Sequence, residues 1–198
     1  DFSECNGALY TSFYSIFAAS KGLKTITFGE CSFTKVSSLY NTFTNCESLT
    51  SIDLTPFTRA PITNLGRTFY GCKKLASLDL SPLTLSNNVD FDDFIKGCSS
   101  LTYIDLAPFA NIELGSLSSF FNGCSSLTSI DLTPFAGKPI TDVSSMFHGC
   151  SSLTTIDLTP FTGAPITNLG STFYNCSSLT SIDLTPFTGA PITNLGST

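Results

Sequence analysis

At 198 residues with 41% apolar content, the chain is long enough to bury a core, yet only 12% of it is charged, about half the usual ~25%. The net charge of −6, with eight of nine basic residues lying between Lys21 and Lys96, argues against a general nucleic-acid role, which needs clustered Lys and Arg. No stretch approaches the ~18 to 20 apolar residues of a membrane span, and no basic leader with an apolar run follows Asp1.

Taken in chain order, the sequence repeats with a fixed 26-residue period, as from Leu49 to Leu75 to Leu101. Asp1–Ile16 enters mid-repeat, and Phe17–Thr42 follows with Leu23, Ile26 and Phe28 at the positions later held by Leu49, Ile52 and Leu54. The nonapeptide Leu49–Phe57 returns almost unchanged at Leu127–Phe135, Leu153–Phe161 and Leu179–Phe187, and in weaker form at Leu75–Leu83 and Leu101–Phe109. The period predicts one solenoid over residues 1–198 with about 7.6 repeats, both ends cut mid-repeat and the array continuing in a parent chain.

Within one repeat, Ile52 and Leu54 alternate with Asp53 as in a short strand, and Pro56 has no N–H to continue a ladder. Ile62, Leu65 and Phe69 then recur at i, i+3 and i+7, predicting a short helix on the opposite side with Thr63 or Asn64 as its N-cap. Gly or Asn precedes the cysteine at Asn45, Gly71, Gly97, Gly123, Gly149 and Asn175, which suits a left-handed turn. Two phenylalanine columns, one from Phe57 to Phe187 and one from Phe17 to Phe173, read as aromatic spines of the core.

The pattern L-x-x-I-D-L-x-x-F, then I-x-x-L-x-x-x-F-x-x-C-x-x-L, resembles the BspA-like leucine-rich repeats and the closely similar mycoplasma-type surface-lipoprotein repeat. The resemblance covers essentially the whole chain, although those repeats often carry Met where Leu65 and Thr68 stand and here only Met146 does. The expected fold is an α/β repeat solenoid, a leucine-rich-repeat array with short parallel strands on one face and short helices on the other. Members of such families are secreted or surface-anchored, often adhesive and not enzymatic, so the resemblance implies an extracellular or cell-surface address.

Six of the eight cysteines, Cys46 to Cys176, share one column, one to each repeat. Parallel Cβ atoms on turns ~4.8 Å apart lie slightly too far apart for a bridge, so buried free thiols are expected there. Cys5 and Cys31 stand in the Phe57 column, where core packing is expected and a disulfide is the alternative.

With Ile52 and Leu54 inward, Ser51, Asp53 and Thr55 face outward. The stacked central row holds Asp1, Thr27, Asp53, Asp79, Asp105, Asp131, Asp157 and Asp183, and Tyr103 is the one large residue in the Ser/Thr row beside it. Carboxylates ~4.8 Å apart repel, by about 1 kcal/mol per neighbour in water, so a coupled titration with raised pKa values is expected. Three readings of the row compete: carboxylates held by hydroxyls and backbone N–H groups, a strip that docks a basic or polyhydroxylated partner, and Ca²⁺ bridging neighbours. No D-x-D-x-D-G loop favours the metal.

No cofactor motif or hydrolase elbow occurs, and the one histidine, His148, stands in a column that also takes Thr44, Tyr70, Lys96, Asn122 and Tyr174. Catalysis is not expected. Asn175-Cys176-Ser177 matches an N-glycosylation acceptor but falls beside the cysteine column, where access is expected to be poor. The sequence therefore predicts a non-catalytic array that adheres or binds a protein or glycan. The candidate residues are Asp53, Asp79, Asp105, Asp131, Asp157, Asp183 and Tyr103. A structural subunit that self-associates into a layer or fibre is the alternative.

Overall fold

A computed structural model describes residues 5–197; Asp1, the first member of the acidic row, lies outside them. Each sequence repeat forms one coil. Backbone hydrogen bonds run from each coil to the next, as from Leu39 N–H to the Asn64 carbonyl and from Phe43 N–H to that of Thr68 (both 2.9 Å). The result is a repeat solenoid, and the core is the continuous column of side chains inside it, including Phe57, Ile62, Leu65, Phe69 and Cys72.

The helix expected over Ile62–Phe69 is absent, and among the described residues every helical element is a 3-10 turn of three to five residues. The residue at the Arg67 position has φ between 51° and 58° in all eight coils, from Ser15 to Ser197. A left-handed residue of this kind cannot sit inside a right-handed helix. The backbone hydrogen bonds show what replaces it. The N–H groups of Leu65, Arg67, Phe69 and Gly71 donate to the carbonyls of Asp90, Asp92, Phe94 and Lys96 in the next coil. Those of Thr68, Tyr70 and Cys72 close local turns onto Leu65, Arg67 and Phe69. An α-helix would keep all these donors to itself; the turn run shares them between local closure and lateral stacking, so buried backbone groups remain paired. Ser, Thr, Asn and Gly, weak helix formers, fill the segment.

Strands also fall elsewhere than the sequence suggests. Among the described residues, the L-x-x-I-x-L side pairs as a ladder only where β2 (Ser77–Leu78) meets β4 (Tyr103–Ile104), in parallel. Beyond Pro56 the chain makes the 3-10 turn Thr55–Phe57, repeated at Ala107–Asn111, Thr133–Phe135, Thr159–Phe161 and Thr185–Phe187. A second line of lateral pairing comes next. It consists of β1 (Pro61–Asn64) against β3 (Thr84–Asp90), flanked by single parallel bridges such as Ser38↔Asn64 and Asp142↔Asn168. Asn64 does act as a cap, accepting the Gly66 N–H at 2.9 Å, but the element it starts is a turn.

The left-handed expectation before each cysteine holds, with φ from 56° at Asn45 to 77° at Gly97. The second phenylalanine column forms face-to-face pairs, Phe43 on Phe69 and Phe121 on Phe147, each 5.5 Å apart and within 3° of parallel. Ile95 interrupts it, and there Phe94 and Phe120 fill the core from the neighbouring column.

All six column cysteines are free and buried. Each thiol donates to a carbonyl of the preceding coil, Cys72 to Phe43 and Cys98 to Phe69, both at 3.1 Å. The bond satisfies a carbonyl in the interior and ties one coil to the one before it. Burial raises their pKa, to about 12 at Cys98 and Cys150. Cys5 and Cys31, with the same 26-residue separation and Cα atoms 6.0 Å apart, are instead joined in a disulfide. Native protein at pH 8 is therefore expected to give no reaction with a thiol reagent such as dithionitrobenzoate. Denatured protein should give six equivalents, and denatured, reduced protein eight. Labelling of native protein would show that the column opens.

Candidate functional site

The row Asp53, Asp79, Asp105, Asp131, Asp157 and Asp183 lies on the outer surface, five of the six exposed and Asp105 partly so. Each carboxylate has a local task. One oxygen accepts the backbone N–H two residues on, from Thr55, Ser81, Ala107, Thr133, Thr159 and Thr185, at 2.8–2.9 Å. This Asx-type contact precedes the proline, and in five of the six coils it sets the entry to the 3-10 turn; after Asp79 the chain makes a plain turn instead. The row is thus part of how the chain turns off the outer face, with the same carboxylate contact in each of these six coils.

At four members of the row the shift runs opposite to the rise expected from mutual repulsion. The carboxyls of Asp131, Asp157 and Asp183 are held below the usual range by the backbone N–H and then the hydroxyl of the threonine two residues on. Asp79 is lowered by the hydroxyl and then the N–H of Ser81. Hydrogen bonds to the charged form outweigh repulsion between exposed neighbours, which water screens.

A parallel row on the second pairing line escaped sequence reasoning. Asn64, Asp90, Ser116, Asp142, Asn168 and Asn194 each accept the N–H two residues on, between 2.8 and 3.2 Å. Side-chain amides also link neighbours, as Asn194 Nδ2 to Asn168 Oδ1 at 2.9 Å. The signal was available: the column admits only Asn, Asp and Ser, the residues that make such turns.

Four of the basic residues are paired with other carboxylates. Glu47 lies between Lys21 and Lys73, at 3.2 Å from each, and Asp93 between Arg67 (3.2 Å) and Lys96 (3.0 Å). Among the described residues no ion pair involves the outer row, and no three His, Cys, Asp or Glu side chains converge as metal ligands. Tyr103 projects from β4 with 60% of its surface exposed, beside Asp105. His148 stacks on Tyr174, ring centres 5.1 Å apart. Asn175 is exposed, contrary to the sequence expectation, while Cys176 next to it is buried.

Stacked coils of one repeating length, an apolar column inside and a regular polar face outside define the class: a leucine-rich-repeat solenoid. The family model described as "Mycoplasma protein of unknown function, DUF285" matches residues 10–108, 37–156 and 113–197, and the chain belongs to that family. Among solved structures it is similar to a leucine-rich repeat protein from Eubacterium ventriosum ATCC 27560. The identity is 19%, over 87% of this chain and 41% of that one, with a TM-score of 0.51. A leucine rich cell surface protein from Faecalibacterium prausnitzii A2-165 matches at 19% identity, over 92% of this chain and 66% of that one, TM-score 0.43. A leucine-rich repeat protein from Bacteroides ovatus ATCC 8483 matches at 17%, over 92% and 63%, TM-score 0.43. No curated protein matches the sequence. The family match indicates no catalytic family, and no helix among the described residues is long and apolar enough to cross a membrane.

Proposed function

We propose that this protein is a non-catalytic binding module, held outside the cell or at its surface, that recognises a protein or glycan partner through its outer Asp-bearing face. The observation that carries the reading is the regularity of that face. Asp53, Asp79, Asp105, Asp131, Asp157 and Asp183 each hold a carboxylate fixed by a backbone N–H, one per coil, and all but the partly covered Asp105 are exposed. Preoriented acceptors spaced at the coil repeat suit an extended partner that donates hydrogen bonds or carries positive charge. The leucine-rich-repeat fold, which stacks one such acceptor on the next, is in keeping with it.

The test uses a variant in which all six aspartates become asparagine, which retains an oxygen for each backbone N–H while removing the charge. Both forms are immobilised and presented with extracellular-matrix proteins and a glycan array, and light scattering records their mass. Binding by the parent and its loss in a variant with unchanged circular dichroism is the expected result. A parent that binds nothing and assembles into large particles would replace this reading with a structural layer or fibre.

A further inference from the structure

The regularity of the outer face breaks at Tyr103. A recess of about 380 Å³, at the small end of ligand-sized clefts, opens among Tyr103, Asp105, Ala107, Ala110, Asp131 and Pro134. Three departures from the repeat build it. Tyr103 replaces the small residue found at Ser51, Ser77, Ser129, Thr155 and Ser181, and stands on the β2–β4 ladder. The 3-10 turn after Asp105 runs to five residues, Ala107–Asn111, where its equivalents have three. Lys138, the one basic residue beyond Lys96, reaches back to that turn and donates to the carbonyls of Ala110 (3.0 Å) and Ile112 (2.6 Å). The wall of the recess is thus pinned by a lysine whose amine is committed to the backbone.

The polar lining is one-sided. Asp105 and Asp131 each accept a backbone N–H, from Ala107 and Thr133 at 2.9 Å, and a carboxylate with about four acceptor sites keeps capacity for an incoming donor. The Thr133 hydroxyl already engages Asp131. No amide, indole or cationic side chain lines the space. A sugar, which presents acceptors as well as donors, would leave its acceptors poorly served. A guanidinium carries five donors and no acceptor, is flat enough to lie on an aromatic ring, and is drawn by two carboxylates. An ammonium satisfies the charge but not the stacking.

Resting on the outer face being the binding surface, we propose that this recess receives an arginine side chain of a protein partner. The guanidinium lies against Tyr103 and donates to Asp105 and Asp131.

The probe is the peptide acetyl-Gly-Arg-Gly-amide, titrated into ¹⁵N-labelled protein and compared with its lysine counterpart and with methyl glucoside. Amide shifts are expected at Tyr103, Ala107, Ala110 and Thr133, with the arginine peptide binding more tightly than the other two. Tyr103→Ser, which installs the residue of the neighbouring coils, and Asp105→Asn, which keeps the oxygen for Ala107, should each weaken it by about tenfold. Tyr174→Ser, which removes an exposed aromatic that is not part of the Asp row, should leave it unchanged. Shifts spread evenly along the Asp row, equal weakening by Tyr174→Ser, or a preference for the glucoside would each overturn the arginine assignment. The six-aspartate variant tests the broader reading separately. Retained partner binding in Tyr103→Ser, lost in that variant, would sink this proposal alone.

Discussion

Phe120→Ala is expected to lower stability by about 3–5 kcal/mol, the usual cost of emptying a fully buried aromatic site. Phe120 is inaccessible to solvent, and its ring meets five others. Phe121 lies at 4.7 Å between centres, Phe91 at 5.1 Å, Phe109 at 5.4 Å, Phe94 at 6.1 Å and Phe135 at 6.2 Å. It stands where the stacked phenylalanine column breaks at Ile95, so it packs the coils on either side of the irregular region. A solenoid is held by nearest-neighbour interfaces, and weakening one in the middle uncouples the flanks. Urea unfolding followed by circular dichroism should shift to a lower midpoint and separate into two transitions. Phe173→Ala, at a half-buried ring in the last stacked pair, should cost clearly less. A single transition with a loss below about 1.5 kcal/mol would show that the site collapses around the missing ring.

Asp131→Ala is expected to cost about 1 kcal/mol, as loss of a capping side chain does, while Asp131→Asn should stay near the parent because its amide oxygen still receives the Thr133 N–H. The pH dependence follows from the direction of the shifts. Asp79, Asp131, Asp157 and Asp183 have carboxyls held lower in the fold than in the unfolded chain. Their contribution is complete above the unfolded value of ~3.9 and is lost as pH falls through the lower folded value. Stability should thus be flat from pH 7 to about pH 5 and decline below about pH 4. Replacing these four by Asn should flatten that acid limb. Denaturant midpoints at pH 7, 5 and 3 check both points, and a fall between pH 7 and 5 would contradict the assignment. The Asn series also separates turn formation from charge, which any study of partner binding on this face requires.

Much of the architecture was legible because repetition magnifies weak signals. One nonapeptide says little, but its return at a fixed spacing identifies the coil, the inward columns and the outward Asp row without any structure. The free thiols of the cysteine column and the left-handed residue before each cysteine were legible for the same reason. The helix was misread. Ile62, Leu65 and Phe69 do point inward at helix-like spacing, and an apolar period reports only which residues face the core. It cannot report that Ser, Asn, Asp or Arg at the Arg67 position adopts a left-handed backbone, because three of those residue types do so in some contexts and not in others, and arginine rarely does.

For the site, the sequence placed the six aspartates and Tyr103 on the outer face but treated the aspartates as surplus to the fold. Their bond to the N–H two residues on is local, and the Asp-x-Thr-Pro pattern offered it. The recess beside Tyr103 had no comparable signal beyond one large residue among small ones.

The sequence by itself determined the period, the identity of the buried columns and the family, since each depends on residue types recurring at fixed spacing. Only the tertiary structure decided where the backbone hydrogen bonds go. They run laterally between coils rather than along helices, because each coil's donors are completed by the carbonyls of its neighbour. It also decided which cysteines pair, because the 26-residue separation is the same in both columns: Cys5 and Cys31 are joined, while the other six thiols stay free and donate to carbonyls of the preceding coil.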